Sequence, residues 1–151
     1  MYDFYTEPCQ IGQIYDATIK RIYSETAAEE ITFGAPLAFD TNGNVTNIDP
    51  NGSDLLIGVS VFDQMKINAV YPAADRVSVM NIGRIWVEID QTLSGGSIQA
   101  GVLAYVGNRP GTFADAVNAG SSNIKAGLFL DTPTTLSDGR VVAPLELNLE
   151  I

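Results

Sequence analysis

Near the end of the chain, Leu145, Leu147, Leu149 and Ile151 alternate with Glu146, Asn148 and Glu150 without a flaw. Successive side chains of a strand point to opposite faces, so such a run makes a strand with one buried and one wet side. Val77, Val79, Ile85, Val87 and Ile89 repeat that period around a turn or bulge expected at residues 81–83. Between these segments, short apolar runs at residues 31–39, 44–48, 55–62, 102–106 and 126–130 are split by Gly, Pro and Asn. Asn42-Gly43 is a hairpin signal. Many short strands with frequent turns define the expected fold class: all-β, an antiparallel β-sandwich or barrel, jelly-roll-like. Helix is expected only as a short stretch at residues 24–30, with a single turn at residues 115–119.

Charge narrows the range of partners. Eight Lys and Arg stand against eighteen Asp and Glu in 151 residues, a net charge of −10. Such a chain repels nucleic acid and anionic membranes, so neither is an expected partner. The charge is also uneven: residues 1–54 hold most of the excess, with Lys20 and Arg21 as their sole basic side chains. Apolar residues at 46% supply a core. No apolar run approaches the roughly 20 residues of a membrane span, and the acidic, aromatic start is unlike a signal peptide.

Catalytic chemistry finds little to use. The chain has no His and one Cys, Cys9, which removes His-based acid–base catalysis, most zinc sites and any intrachain disulfide. Asp40 to Asn44, with Asp49 and Asp54 nearby, superficially suggests a calcium loop. Its Gly43 is misplaced for an EF-hand and Asn51 stands where the bidentate Glu belongs, so a solvated turn is the expectation. Gly95-Gly96 lacks the Lys-Ser/Thr of a phosphate loop. Ser60 fails the nucleophile-elbow pattern. Glu88 with Asp90, and Glu146 with Glu150, share strand faces as a glycosidase pair would, but alternation aims them at water. Cys9 sits in a leader with no base beside it. No catalytic residue, cofactor or metal ligand is expected.

Aromatics crowd the leader instead: Tyr2, Phe4, Tyr5, Tyr15 and Tyr23 precede the first clear strand pair. Rings with polar tips are enriched at interfaces. The division expected is an extended N-terminal arm, residues 1–23, and a single β domain, residues 24–151. Trp86 lies between inward residues and should point outward, to a subunit contact or beneath the leader. The expected partner-contact residues are therefore Tyr2, Phe4, Tyr5, Tyr15 and Trp86. A faint echo also runs through the domain. The IGV at residues 57–59 matches the AGL at 126–128, and the Arg76 strand matches the Arg140 strand. Two related units at 31–90 and 98–151 are the reading, joined by a loop at 91–97.

The motifs ITFG from Ile31, LLIGVS from Leu55 and YPAADRVSVMNIGRIWVE from Tyr71 come in the order seen in tailed-bacteriophage capsid cement (decoration) proteins. AGVLAYV from Ala100 and GTF from Gly111 then follow, and the whole resembles that family over most of residues 25–151. Ala74 replaces a usual Gly and Val102 an often-found Asp. The resemblance implies a non-enzymatic virion protein, made in the host cytoplasm and seated on the capsid exterior. Its implied partners are the major capsid protein and itself, as a homodimer or homotrimer. A carbohydrate- or receptor-binding β-sandwich is the rival reading, and an interface-site hydrolase a weaker third.

Overall fold

The structure is a computed structural model that describes residues 9–66, 68, 70–91, 97–120 and 122–149. Its strands are β1 (Arg21–Thr26), β2 (Ile31–Thr32), β3 (Pro36–Phe39), β4 (Val45–Asn47), β5 (Gly58–Ser60) and β6 (Val70–Tyr71), followed by β7 (Arg76–Glu88) and β8 (Leu103–Val106). The chain ends with β9 (Phe113–Ala114), β10 (Lys125–Phe129), β11 (Thr134–Thr135) and β12 (Val141–Asn148). All strand pairings are antiparallel, and among the described residues there is no α-helix. The all-β expectation holds, and the one-turn expectation at residues 115–119 is met by the Ala119 N–H donating to the Asp115 carbonyl.

The helix expected at 24–30 is absent; residues 21–26 form β1 instead. Its run of Glu, Thr and Ala has local helix propensity, but β1 has a partner strand along its whole length, and that pairing overrides weak propensity.

β7 organises the molecule. It runs 13 residues where strands of about 5–6 are usual. Its first half pairs with β1 and β5, and its second half with β12. The pairing with β1 slips from Ile82 to Met80 between Arg21 and Ile22, leaving Asn81 as the extra residue of a bulge. The sheet order β4-β3-β5-β7-β12-β10-β8-β9 therefore reads alike from either end towards β7 and β12.

Each half curls until its outermost strand meets the chain again. In the first, β4 reaches Ala27 by a one-residue parallel bridge at Val45, and the Ala28 N–H donates to the Val45 carbonyl. In the second, β9 reaches Ile89 by the same kind of bridge at Phe113, and the Asp90 N–H donates to the Phe113 carbonyl. Gly58 of β5 and Gly127 of β10 sit at like places. A Cβ on Gly58 would lie 2.6 Å from the Met80 carbonyl oxygen, and one on Gly127 would strike that of Glu146. Both backbones thus approach the next strand closer than any side chain permits.

Alternation sets the core. Val77, Val79, Ile85, Val87 and Ile89 are all buried, as are Leu145 and Leu147. Glu150 and Ile151, which complete the period in the sequence, lie outside the described residues. One apolar cluster fills the first curl with Ile31, Phe33, Leu37, Ile57, Tyr71 and Val79. A larger one fills the second with Phe113, Phe129, Ile85 and Leu145, and it reaches across to Ile48 and Leu56 of the first.

Candidate docking surface

Tyr2, Phe4 and Tyr5 lie outside the described residues. From Cys9 on, the segment assigned to the arm lies along β7. The Gly12 N–H donates to the Trp86 carbonyl (2.8 Å), the Trp86 N–H to the Gln13 carbonyl (2.9 Å), and the Tyr15 N–H to the Arg84 carbonyl (2.8 Å). After an excursion at 16–20, the chain rejoins the same strand as β1. Tyr23, counted among the leader's aromatics, packs on the first curl's core and donates its hydroxyl to the Ile57 carbonyl.

Tyr15 and Trp86 come together. Their ring centroids are 5.4 Å apart and the planes tilt by 59°, an aromatic contact geometry that favours ring edge over ring face. Trp86 points outward, as its parity requires, and packs on a small cluster of Cys9, Ile11, Leu136 and Val142. It is thus covered by residues of the leader. Cys9 is not loose: it is buried in that cluster, with only 2% of its surface exposed.

The carboxylates expected to face water divide. Glu146 does so in part, held by Arg84, whose Nε donates to its Oε1 at 3.0 Å; Arg84 Nη1 also donates to Asp16 Oδ2 at 3.0 Å. The Thr18 hydroxyl and amide, with Arg84, hold the Asp16 carboxyl below its ordinary value, and the Thr18 hydroxyl contributes most. Asp90 contradicts the expectation: it is 1% exposed. The strand ends at Glu88, and the loop 107–112 folds over Asp90, whose Oδ2 accepts the Arg109 N–H at 3.0 Å, while Arg109 Nη2 donates to Glu88 Oε2. This pair anchors a loop. Glu150 lies outside the described residues.

Other suspected sites also prove structural. Asp40 Oδ1 accepts the N–H groups of Asn42 and Asn44, and Asp49 Oδ1 that of Asn51, so these acids tie turns. Ser60 is buried, donating to the Thr32 carbonyl and accepting the Ala35 N–H. Among the described residues, no group of three or more His, Cys, Asp or Glu is placed to hold a metal ion. A cleft of about 310 Å³ opens between the curls beside Thr32, Pro110 and Arg140, and among the described residues it brings together no nucleophile, base and orienting group.

The sequence reading passed over a pair of leucines. Leu103 of β8 and Leu128 of β10 are directly opposed on the outer side of the second curl, and both are exposed. The signal was there in the period of residues 102–106 and 126–130, but which side of those strands faces the core depends on their partners.

Closed curls, an aromatic contact at the surface and turn-forming acids define a body of the all-β class. Residues 1–148 match the family model of the phage structural cement protein, described by gp24 of phage E217 and gp6 of phage Pam3. The chain belongs to that family. It is a capsid-stabilising structural protein of the virion. Among solved structures, a chain from the capsid of Myoviridae Phage XM1 has the same fold, with a TM-score of 0.71 over 99% of this chain and 96% of that one, at 14% identity. No curated protein sequence matches.

Proposed function

We propose that the chain binds the exterior of the shell through the major capsid protein, in many copies, and acts without catalysis. The observation that carries this reading is the family match over residues 1–148. Two features of the molecule support it. Each curl is tied back on itself, which makes a body that resists shear, and the excess of negative charge keeps crowded copies soluble. Tyr2, Phe4 and Tyr5 serve as anchors of a contact arm shorter than residues 1–23, because the chain from Cys9 on is part of the body. Tyr15 and Trp86 add a contact patch of that body, a β domain of two related units. Self-association into a dimer or trimer multiplies weak contacts at high effective concentration.

The test adds purified protein to capsids of the parent phage depleted of it, followed by sedimentation and heating. Saturable binding together with a raised capsid melting temperature is expected. Failure to co-sediment at micromolar concentration refutes the reading. Native mass measurement of the free protein tests the oligomer separately.

A further inference from the structure

On the outer side of the second curl, one row of side chains crosses adjacent strands: Leu103 of β8, Leu128 of β10, Glu146 of β12 and Arg84 of β7. The polar end of the row is already satisfied, because Arg84 engages both Glu146 and Asp16. The apolar end is bare, with Leu103 49% and Leu128 38% exposed. At the far margin Ile19 is 86% exposed, and it lines a groove of about 270 Å³ with Ile82 and Asn148. Exposed apolar surface rimmed by polar groups marks an interaction site.

Charge on this face runs against the rest of the chain. Lys125 stands opposite Tyr105 on β8, and Arg21 opposite Ile82. The row's carboxylate, Glu146, and the neighbouring Asp16 are both engaged by Arg84, so Lys125 and Arg21 leave this face with a positive excess on a chain of net charge −10. Acids gather elsewhere, around the β3–β4 hairpin, where Asp40 ties the turn and Glu29 binds Thr46 and Asn47.

We infer that this face, the outer side of β8, β10, β12 and β7, seats on the shell against an acidic, apolar patch of its exterior. The inference rests on the capsid-binding reading above and adds a face of the body to the leader contacts named there. A second copy using the same face would bring the cations Lys125 and Arg21 towards those of its partner, which disfavours a two-fold pair there. With this face down, the β3–β4 hairpin is free to face neighbours, and like charge spaces the copies.

The experiment compares the intact protein with a Leu103→Thr/Leu128→Thr double variant and with Lys125→Glu, in sedimentation with depleted capsids. Thr suits an exposed strand position, so circular dichroism and melting should match the intact protein. The double variant should bind the shell about tenfold more weakly or worse. Lys125→Glu should lose about three- to tenfold at low salt, and the difference should fade at high salt. Asp54→Lys, in the exposed loop between β4 and β5, should bind as the intact protein does. If the face variants bind normally, the face is wrong. If they lose self-association in native mass measurement while binding shells normally, the face lies between copies and the inference is overturned. If the intact protein itself does not bind, the capsid-binding reading falls first and this one with it.

Discussion

The first curl is filled with rings, the second with branched chains around Phe113 and Phe129. Phe33 meets both Phe62 and Tyr71 edge-on at 5.3 Å, and among the described residues the cluster around them draws on none beyond Val79. The second curl's cluster instead borrows Ala38, Ile48, Leu56 and Val59 from the first. Two units with one strand order thus differ in self-sufficiency: the first holds a core of its own, and the second completes its core on its neighbour.

The comparison is broken most forcefully at the paired glycines. Gly127→Ala should destabilise by about 3–5 kcal/mol, because its Cβ strikes backbone that cannot move without parting β10 from β12. Gly58→Ala should cost less, since Val79 Cγ1, one of the two atoms at 2.6 Å, belongs to a side chain. Urea denaturation measures both; equal losses would mean that the two sites are not held alike.

Asn81 tests the joint. It is buried at the bulge, accepts Arg21 Nε at 2.9 Å and donates to the Leu149 carbonyl at 3.1 Å. Asn81→Ala should cost about 2 kcal/mol, since the exposed Arg21 and the half-buried Leu149 carbonyl each lose a hydrogen bond. It should also separate the Trp86 fluorescence transition from that of far-UV circular dichroism. A single shared transition would show that the curls stay coupled through packing alone.

Tyr71 sharpens the contrast through pH. Its hydroxyl donates to the Val61 carbonyl at 2.6 Å, and burial raises its pKa above the ordinary 10.0. A raised phenol pKa means stability that is complete below about pH 10 and declines as pH climbs through the folded-state value. Burial raises Tyr23 likewise, and both belong to the first curl. Tyr71→Phe should cost about 1 kcal/mol at neutral pH and flatten the alkaline limb of the stability curve. An unchanged alkaline limb would remove Tyr71 from that account.

The smallest effect concerns the hairpin turns. Asp40→Ala removes two acceptor bonds at the β3–β4 turn, while Thr112→Ala removes a hydroxyl bond to the Arg109 carbonyl at 2.6 Å in the β8–β9 turn. Each should cost about 1 kcal/mol, the buried Thr112 more than the exposed turn. Thermal melts of the two variants decide the order.

Period two made much of this architecture legible. The inward set from Val77 to Ile89, the last strand and the Asn42-Gly43 turn follow from neighbours in sequence. What stayed hidden depends on partners far along the chain. Residues 24–26 became strand because β7 lies beside them. Asp90 became buried because a loop some twenty residues later folds over it, and alternation knows nothing of loops. Trp86 was readable as outward, and the leader's place over it was one of two options. The Leu103–Leu128 pair required knowing that β8 and β10 are neighbours, which no local pattern states.

The shared strand has a consequence for the order in which the chain acquires structure. Every residue of the first curl's core precedes Met80, so a chain emerging from the ribosome can close that curl once β7 is out. The second half of β7 then stands as a ready template, one edge lined by residues 12–15 and the other waiting for β12, the last strand to arrive. Until then that open edge invites pairing with any passing strand, including one from another nascent copy. A chain cut between β10 and β12 should therefore be a sticky fragment and not a smaller version of the protein.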